Sequence, residues 1–113
     1  MQSWNLREIP TPGGIRSPVV LRSDDAARAV LISLEPGQAL GEHQVKEHAL
    51  VTVLDGAVRV EAGGEAIDGG LGCCFSFDAD ERRSISSDGG ARILLVFAPW
   101  PGEGHYRGDR PAA

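Results

Sequence analysis

The sequence predicts an all-β domain of the sandwich or barrel kind, and three observations predict it. Short β-branched and aliphatic runs recur along the chain, each fenced by turn residues. Fifteen glycines and seven prolines are spread through the 113 residues rather than clustered, as many tight turns require. No segment carries a helical period strong enough to compete. Turn signals about every 8–12 residues between such runs are the mark of a sandwich or barrel.

The runs follow one another in order. Val19-Val20-Leu21 precedes the polar Ser23-Asp24-Asp25, and Ala29 to Leu34 runs into Glu35-Pro36-Gly37, which must turn. Asp24 could instead cap a helix through DAARAVLISL. That reading ranks second, because the aliphatic run 29–34 is short and Pro36 stops it. Ala49 to Leu54 is the next strand. Asp55-Gly56 then predicts a hairpin into Ala57-Val58-Arg59-Val60, since a type I′ turn needs positive φ at both central residues. Gly63-Gly64 and Gly69-Gly70 predict two further turns. Cys73 to Phe77, Arg83 to Ser86 and Arg92 to Ala98 complete the strands, with Asp88-Gly89-Gly90 before the last.

Length and charge narrow the functions. One domain of this size can bury a proper core, though it lies near the lower end for a stand-alone fold. No run of about 18 apolar residues exists to span a membrane. The N-terminus MQSWNLREIP lacks the basic-then-apolar pattern of a signal peptide, so a cytoplasmic location is expected. A net charge of −5 argues against non-specific nucleic-acid binding. The adjacent Cys73 and Cys74 have no zinc or redox spacing, and buried reduced thiols on opposite faces of a strand are expected.

Alternation adds a second message. Ala49 to Leu54 and Ile93 to Phe97 are apolar at successive positions, so each presents an apolar residue to both faces of its sheet. Both faces need cover. A second subunit is the simplest cover, with the segment around Trp4 and Leu6 contributing, and a homodimer is expected.

The segment from Pro36 to Ala49, PGQALGEHQVKEHA, continuing through Val53-Leu54-Asp55-Gly56, resembles the first cupin motif, in which a glycine leads to a His-x-His pair, a Glu and a second glycine. Gly37, His43 and Gly56 fall on its fixed points. Gly72 through Ile85 resembles the second motif by its frame alone. The resemblance implies a cupin-type double-stranded β-helix, a jelly-roll barrel, with the barrel at 29–98, an N-terminal strand segment at 1–28 and an irregular tail at 99–113.

Carried over position by position, the family's metal site would fall on His43, Val45, Ala49 and Arg83. Only the first is a ligand. A divalent ion wants three or more donors, and a guanidinium repels it, so no cofactor is expected. A register slipped by one residue would put Glu42, Gln44 and His48 on the pattern instead. Against it, a slip moves every side chain to the other face, and Ala49, Val51 and Val53 fit the unslipped frame. An atypical metal site of His43, Glu47 and His48 is the basis of an alternative reading as a metal-dependent dioxygenase or isomerase. The first reading is a metal-poor barrel for a small molecule, with an anion the ligand that Arg83 suits. Arg83 and His43 would hold the ligand, with Val45, Val51 and Phe75 or Phe77 as walls and Arg83 facing His43 across the barrel. Arg83 paired with Glu47, Glu81 or Asp80, merely closing the mouth, is the competing expectation. His105 and Tyr106 in the tail are read as packing or surface residues.

Overall fold

A computed structural model describes residues 1–11, 18–43 and 45–101, and side chains in all of these except 41–43. The expectations for the tail beyond residue 101, His105 and Tyr106 included, lie outside the described residues. Eight strands follow in order: β1 (Val19–Ser23), β2 (Arg28–Leu34), β3 (Gln38–His43), β4 (His48–Ala62), β5 (Glu65–Gly70), β6 (Cys74–Phe77), β7 (Arg83–Ser87) and β8 (Ala91–Ala98). Every pairing is antiparallel. No helix occurs among the described residues, and none is long and apolar enough to cross a membrane.

The long strand β4 organises the barrel. Its first half lies between β8 and β6, and its second half between β7 and β5, so one strand serves two sheets. The first sheet runs β1-β2-β8-β4-β6 and the second β3-β7-β4-β5. The handover occurs at Asp55-Gly56, where the sequence predicts a hairpin. The strand continues instead, with a register shift between Val53 and Asp55. The physical reason is local. A type I′ turn requires two residues at positive φ, and of this pair only Gly56, at φ 75°, adopts it. A Cβ on Gly56 would lie 2.2 Å from the Gly90 carbonyl oxygen, so glycine is what lets the two segments touch. The irregularity also changes the phase: Ala49, Val51 and Val53 face the core before it, Val58 and Val60 after it.

Gly69-Gly70 is the second correction. Both residues belong to β5, and the turn comes at Leu71-Gly72. Gly69 is demanded by proximity, since a Cβ there would meet the Phe75 ring at 2.8 Å. The helix alternative from Asp24 gives way to β2. Asp24 closes the β1–β2 turn, accepting hydrogen bonds from Ala26 N (2.9 Å) and Ala27 N (3.2 Å) and from Arg22 Nε at 2.6 Å. β3 and β5 are strands that composition alone does not mark, because QALGEH and EAIDGG are poor in β-branched residues.

The core fills the space between the sheets. Val51, Ile85 and Ile93 are fully inaccessible, and Val30, Ile32, Leu34, Val53, Val60, Phe77 and Leu95 pack with them. On the outer face of the first sheet the register aligns Cys74, Thr52, Leu94, Leu31 and Val19 in one row, and Ser76, Leu50, Val96 and Ala29 in the next. The N-terminal segment covers part of this face. Arg92 donates to Leu6 O (2.9 Å) and to Thr11 Oγ1 (3.1 Å), and Thr11 shares a hydrogen bond with Ser33. Leu31 is buried under it, whereas Leu50 stays 46% exposed.

Candidate functional site at the barrel mouth

One end of the barrel gathers the residues singled out from the sequence. There β3 ends, β4 begins and ends, β5 begins, β6 ends and β7 begins. The loops 45–47 and 78–82 lie at this end and are tied together: Asp80 N donates to Val45 O (2.8 Å), and Lys46 Nζ lies 2.7 Å from Asp80 Oδ1. Asp80 makes the turn at φ 66°, a conformation in which Asp is among the tolerated side chains. Asp78 N donates to Glu81 Oε1 at 3.0 Å, fixing the approach to β7.

Arg83 is the first residue of β7 and shares the inward phase of Ile85. It is 1% exposed, and its Nε, Nη1 and Nη2 are buried without a hydrogen-bond acceptor. Its guanidinium carbon sits 4.8 Å from the centre of the Phe77 ring, a cation–π contact that occupies one face of the group. Burial pushes its pKa below the ordinary arginine range, and the carboxylates of Glu81 and Glu47 pull it part of the way back. The group stays charged at any physiological pH. Removing such a cation from water costs several kcal/mol, and stacking on one ring offsets only part of that.

Glu47 is completely buried, two residues before Ala49 and in phase with it, whereas His48 between them is exposed, its Nδ1 3.9 Å from Asp78 Oδ1. The strand alternation thus separates the two described members of the atypical metal set. His43 and Arg83 are register partners on adjacent strands, not residues facing across the barrel. The side chain of His43 is outside the described set. Val45 is half-buried in the mouth loop, and Phe75 and Phe77 sit on β6 with Phe77 in the core. Val51 lies deeper, paired with Phe75 and Leu95 in the packed middle.

The family's metal positions do not suit a divalent ion here. Val45 and Ala49 carry no donor, and Arg83 is a cation. Among the described residues no three His, Cys, Asp or Glu side chains converge on one point. The expectation of buried thiols is corrected: Cys73 and Cys74 are both exposed, because β6 is an edge strand and only Thr52 Oγ1 reaches Cys74 Sγ, at 3.4 Å.

Two cavities meet at this end. One, of about 430 Å³, is lined by Arg82, Arg83, Ser84, Ala62 and Glu65 with the Gly63-Gly64 turn. The other, about 340 Å³, opens between β5 and β6 and is walled by Val60, Ile67, Phe75 and Phe77, with Glu65 and Glu81 at its rim. They share Ala62 and Glu65. Sequence reasoning missed Val60, Ala62 and Ile67. The shift in phase at Asp55 hides the first two, and Ile67 faces the same side only because it pairs with Val60.

Solved structures share the whole arrangement of strands. An RmlC-like cupin protein from Desulfovibrio desulfuricans superposes with a TM-score of 0.76 at 18% identity, over 88% of this chain and 97% of that one. The fold is the cupin fold. An RmlC-like cupin from Shewanella frigidimarina gives a TM-score of 0.75 at 17% identity, covering 95% of this chain and 92% of that one. A double-stranded β-helix protein from Klebsiella pneumoniae gives 0.75 at 16%, over 88% and 90% of the two chains. No family model and no curated protein matches the sequence. At these identities the cupin likeness concerns the backbone, and the chemistry of the mouth rests on this chain's own residues.

Proposed function

We propose that this cupin-fold chain is a small-molecule-binding barrel that works without a metal, its ligand entering between β5 and β6. One observation carries the reading: a pocket lined by Val60, Ile67, Phe75 and Phe77 beside Glu65, Ser76 and Glu81 adjoins, through Ala62 and Glu65, a cavity lined by the buried Arg83. A concave apolar lining with few polar groups is the usual form of a small-ligand site. The two edge strands leave the gap, since each pairs with β4 alone. A thermal-shift screen of neutral, cationic and anionic molecules below about 200 Da tests the reading. Saturable stabilisation that disappears in Phe75→Asp is the expected result. No shift from any class, with the outer-face variant Leu50→Glu behaving as the native chain, would overturn it.

The barrel pairs with a second copy through the outer face of the first sheet. Leu50, Val96 and Ala29 form an uncharged stretch there that ends at Arg22, the register partner of Ala29, and the N-terminal segment leaves Leu50 46% exposed. A flat row of this kind is self-complementary about a twofold axis. Sedimentation at micromolar concentration is expected to give twice the chain mass.

A further inference from the structure

Among the described residues the hydrogen bonding of Arg83 is incomplete. The Phe77 ring covers one face of the guanidinium, but the N–H groups point outward in its plane and meet no acceptor. Glu47 and Glu81 act on it through space, yet neither forms an ion pair with it. Buried polar groups without partners are rare in folded proteins, and each calls for an explanation, a bound molecule among them. Arg83 also lines the larger cavity, which brings a molecule entering there beside it.

Three features of the mouth define that acceptor. The guanidinium presents a planar fork of donors, which a planar carboxylate matches with two parallel hydrogen bonds. The surrounding charge favours a single negative charge over two, because Glu47 and Glu81 already bear on Arg83, and Glu65 stands at the rim. Beyond the fork the second cavity offers hydrocarbon from Phe77, Phe75, Ile67 and Val60, interrupted by Ser76, Cys74 and the carboxylates of Glu65 and Glu81. Resting on the small-molecule reading above, we propose that Arg83 anchors the carboxylate of a small monocarboxylic acid whose apolar body lies against Phe77 and extends toward Phe75 and Ile67. The acid enters between β5 and β6 with its carboxylate leading, and binding completes the hydrogen bonding of Arg83.

The test compares benzoate with the isosteric, uncharged benzamide, and with inorganic phosphate, on the full chain at constant ionic strength. Benzoate is expected to bind at least about tenfold more tightly than benzamide, the difference a pair of charge-assisted hydrogen bonds makes. Phosphate should bind more weakly than benzoate. In Arg83→Gln the preference for benzoate should vanish while benzamide binding persists. Should that variant not fold, the native protein carries the test through the NMR signal of Arg83 Nε–H, which should move with benzoate and stay still with benzamide. Equal binding of benzoate and benzamide would overturn the carboxylate anchor and leave the small-molecule reading standing. Preference for phosphate, or benzoate binding with an unmoved Nε–H signal, would overturn it as well.

Discussion

The middle of the barrel and its mouth each hold side chains shut off from water, yet they are built on opposite principles. Val51, Ile85 and Ile93 in the middle are at 0% exposure, and so is Glu47 at the mouth, with Arg83 at 1%. In the middle, burial is its own reward: aliphatic side chains from four strands touch and need nothing else. At the mouth the same degree of burial works against a cation and a carboxylate, and among the described residues the Arg83 guanidinium meets a ring face and no hydrogen-bond acceptor. Depth of burial therefore does not distinguish a packed core from a site. Completeness of hydrogen bonding does.

Mutations that treat the two layers alike break or sharpen this contrast. Ile93→Ala, which empties the middle, is expected to cost about 2–5 kcal/mol in urea unfolding, for lost transfer energy plus a residual cavity. A loss much below that range would mean that the middle is loosely packed and the contrast weaker than drawn. Arg83→Met removes a side chain of comparable burial at the mouth. Without ligand, it is expected to leave stability unchanged or raise it by about 1 kcal/mol, as apolar replacements of buried charge do. A fall as large as that of Ile93→Ala would show that Arg83 is a structural residue.

Smaller effects test the boundaries of each region. Leu50 alternates with Ala49 and Val51 on the same strand but faces outward. Leu50→Glu should alter unfolding by no more than about 0.5 kcal/mol, as surface substitutions do, while converting a dimeric species to monomer in sedimentation. Asp24 offers the counter-example to Arg83, a charge whose partners are all present. The Arg22 guanidinium and the backbone N–H groups of Ala27 and Ala26 hold its carboxyl below the ordinary value of 3.8. A depressed folded-state pKa gives stability that is complete above the ordinary carboxylate range and is lost as pH falls through the lower folded value. Urea midpoints of native chain and Asp24→Asn should therefore differ slightly at pH 6 and converge only once the pH falls well below the ordinary carboxylate range. A gap that persists in acid would assign the effect to the turn's shape rather than to its charge.

Much of the fold was legible because strand pattern and turn chemistry are local. β2 and β8 follow aliphatic runs bounded by turn residues, and the spacing from Gly37 through His43 to Gly56 pointed to the cupin arrangement. The hairpin at Asp55-Gly56 misled for a reason of the same kind. Asp-Gly suits both a two-residue turn and an irregular extended strand, and only the approach of Gly90 chooses between them. The site was half legible. Arg83 stood out by standing where a metal ligand was due, and Phe75 and Phe77 by their place in the second motif.

By itself, then, the sequence determined an all-β barrel with an arginine in place of a ligand, because alternation, turns and residue identity are properties of neighbouring residues. The tertiary structure alone decided what Arg83 meets. Its burial depends on Phe77 and Glu47, brought in from other segments, and its cavity depends on β5 and β6 each pairing with β4 and leaving a gap. It also decided that Glu47, in the bend before β4, turns inward while His48, the first residue of β4, turns to solvent, because only the packing around them says which way is in.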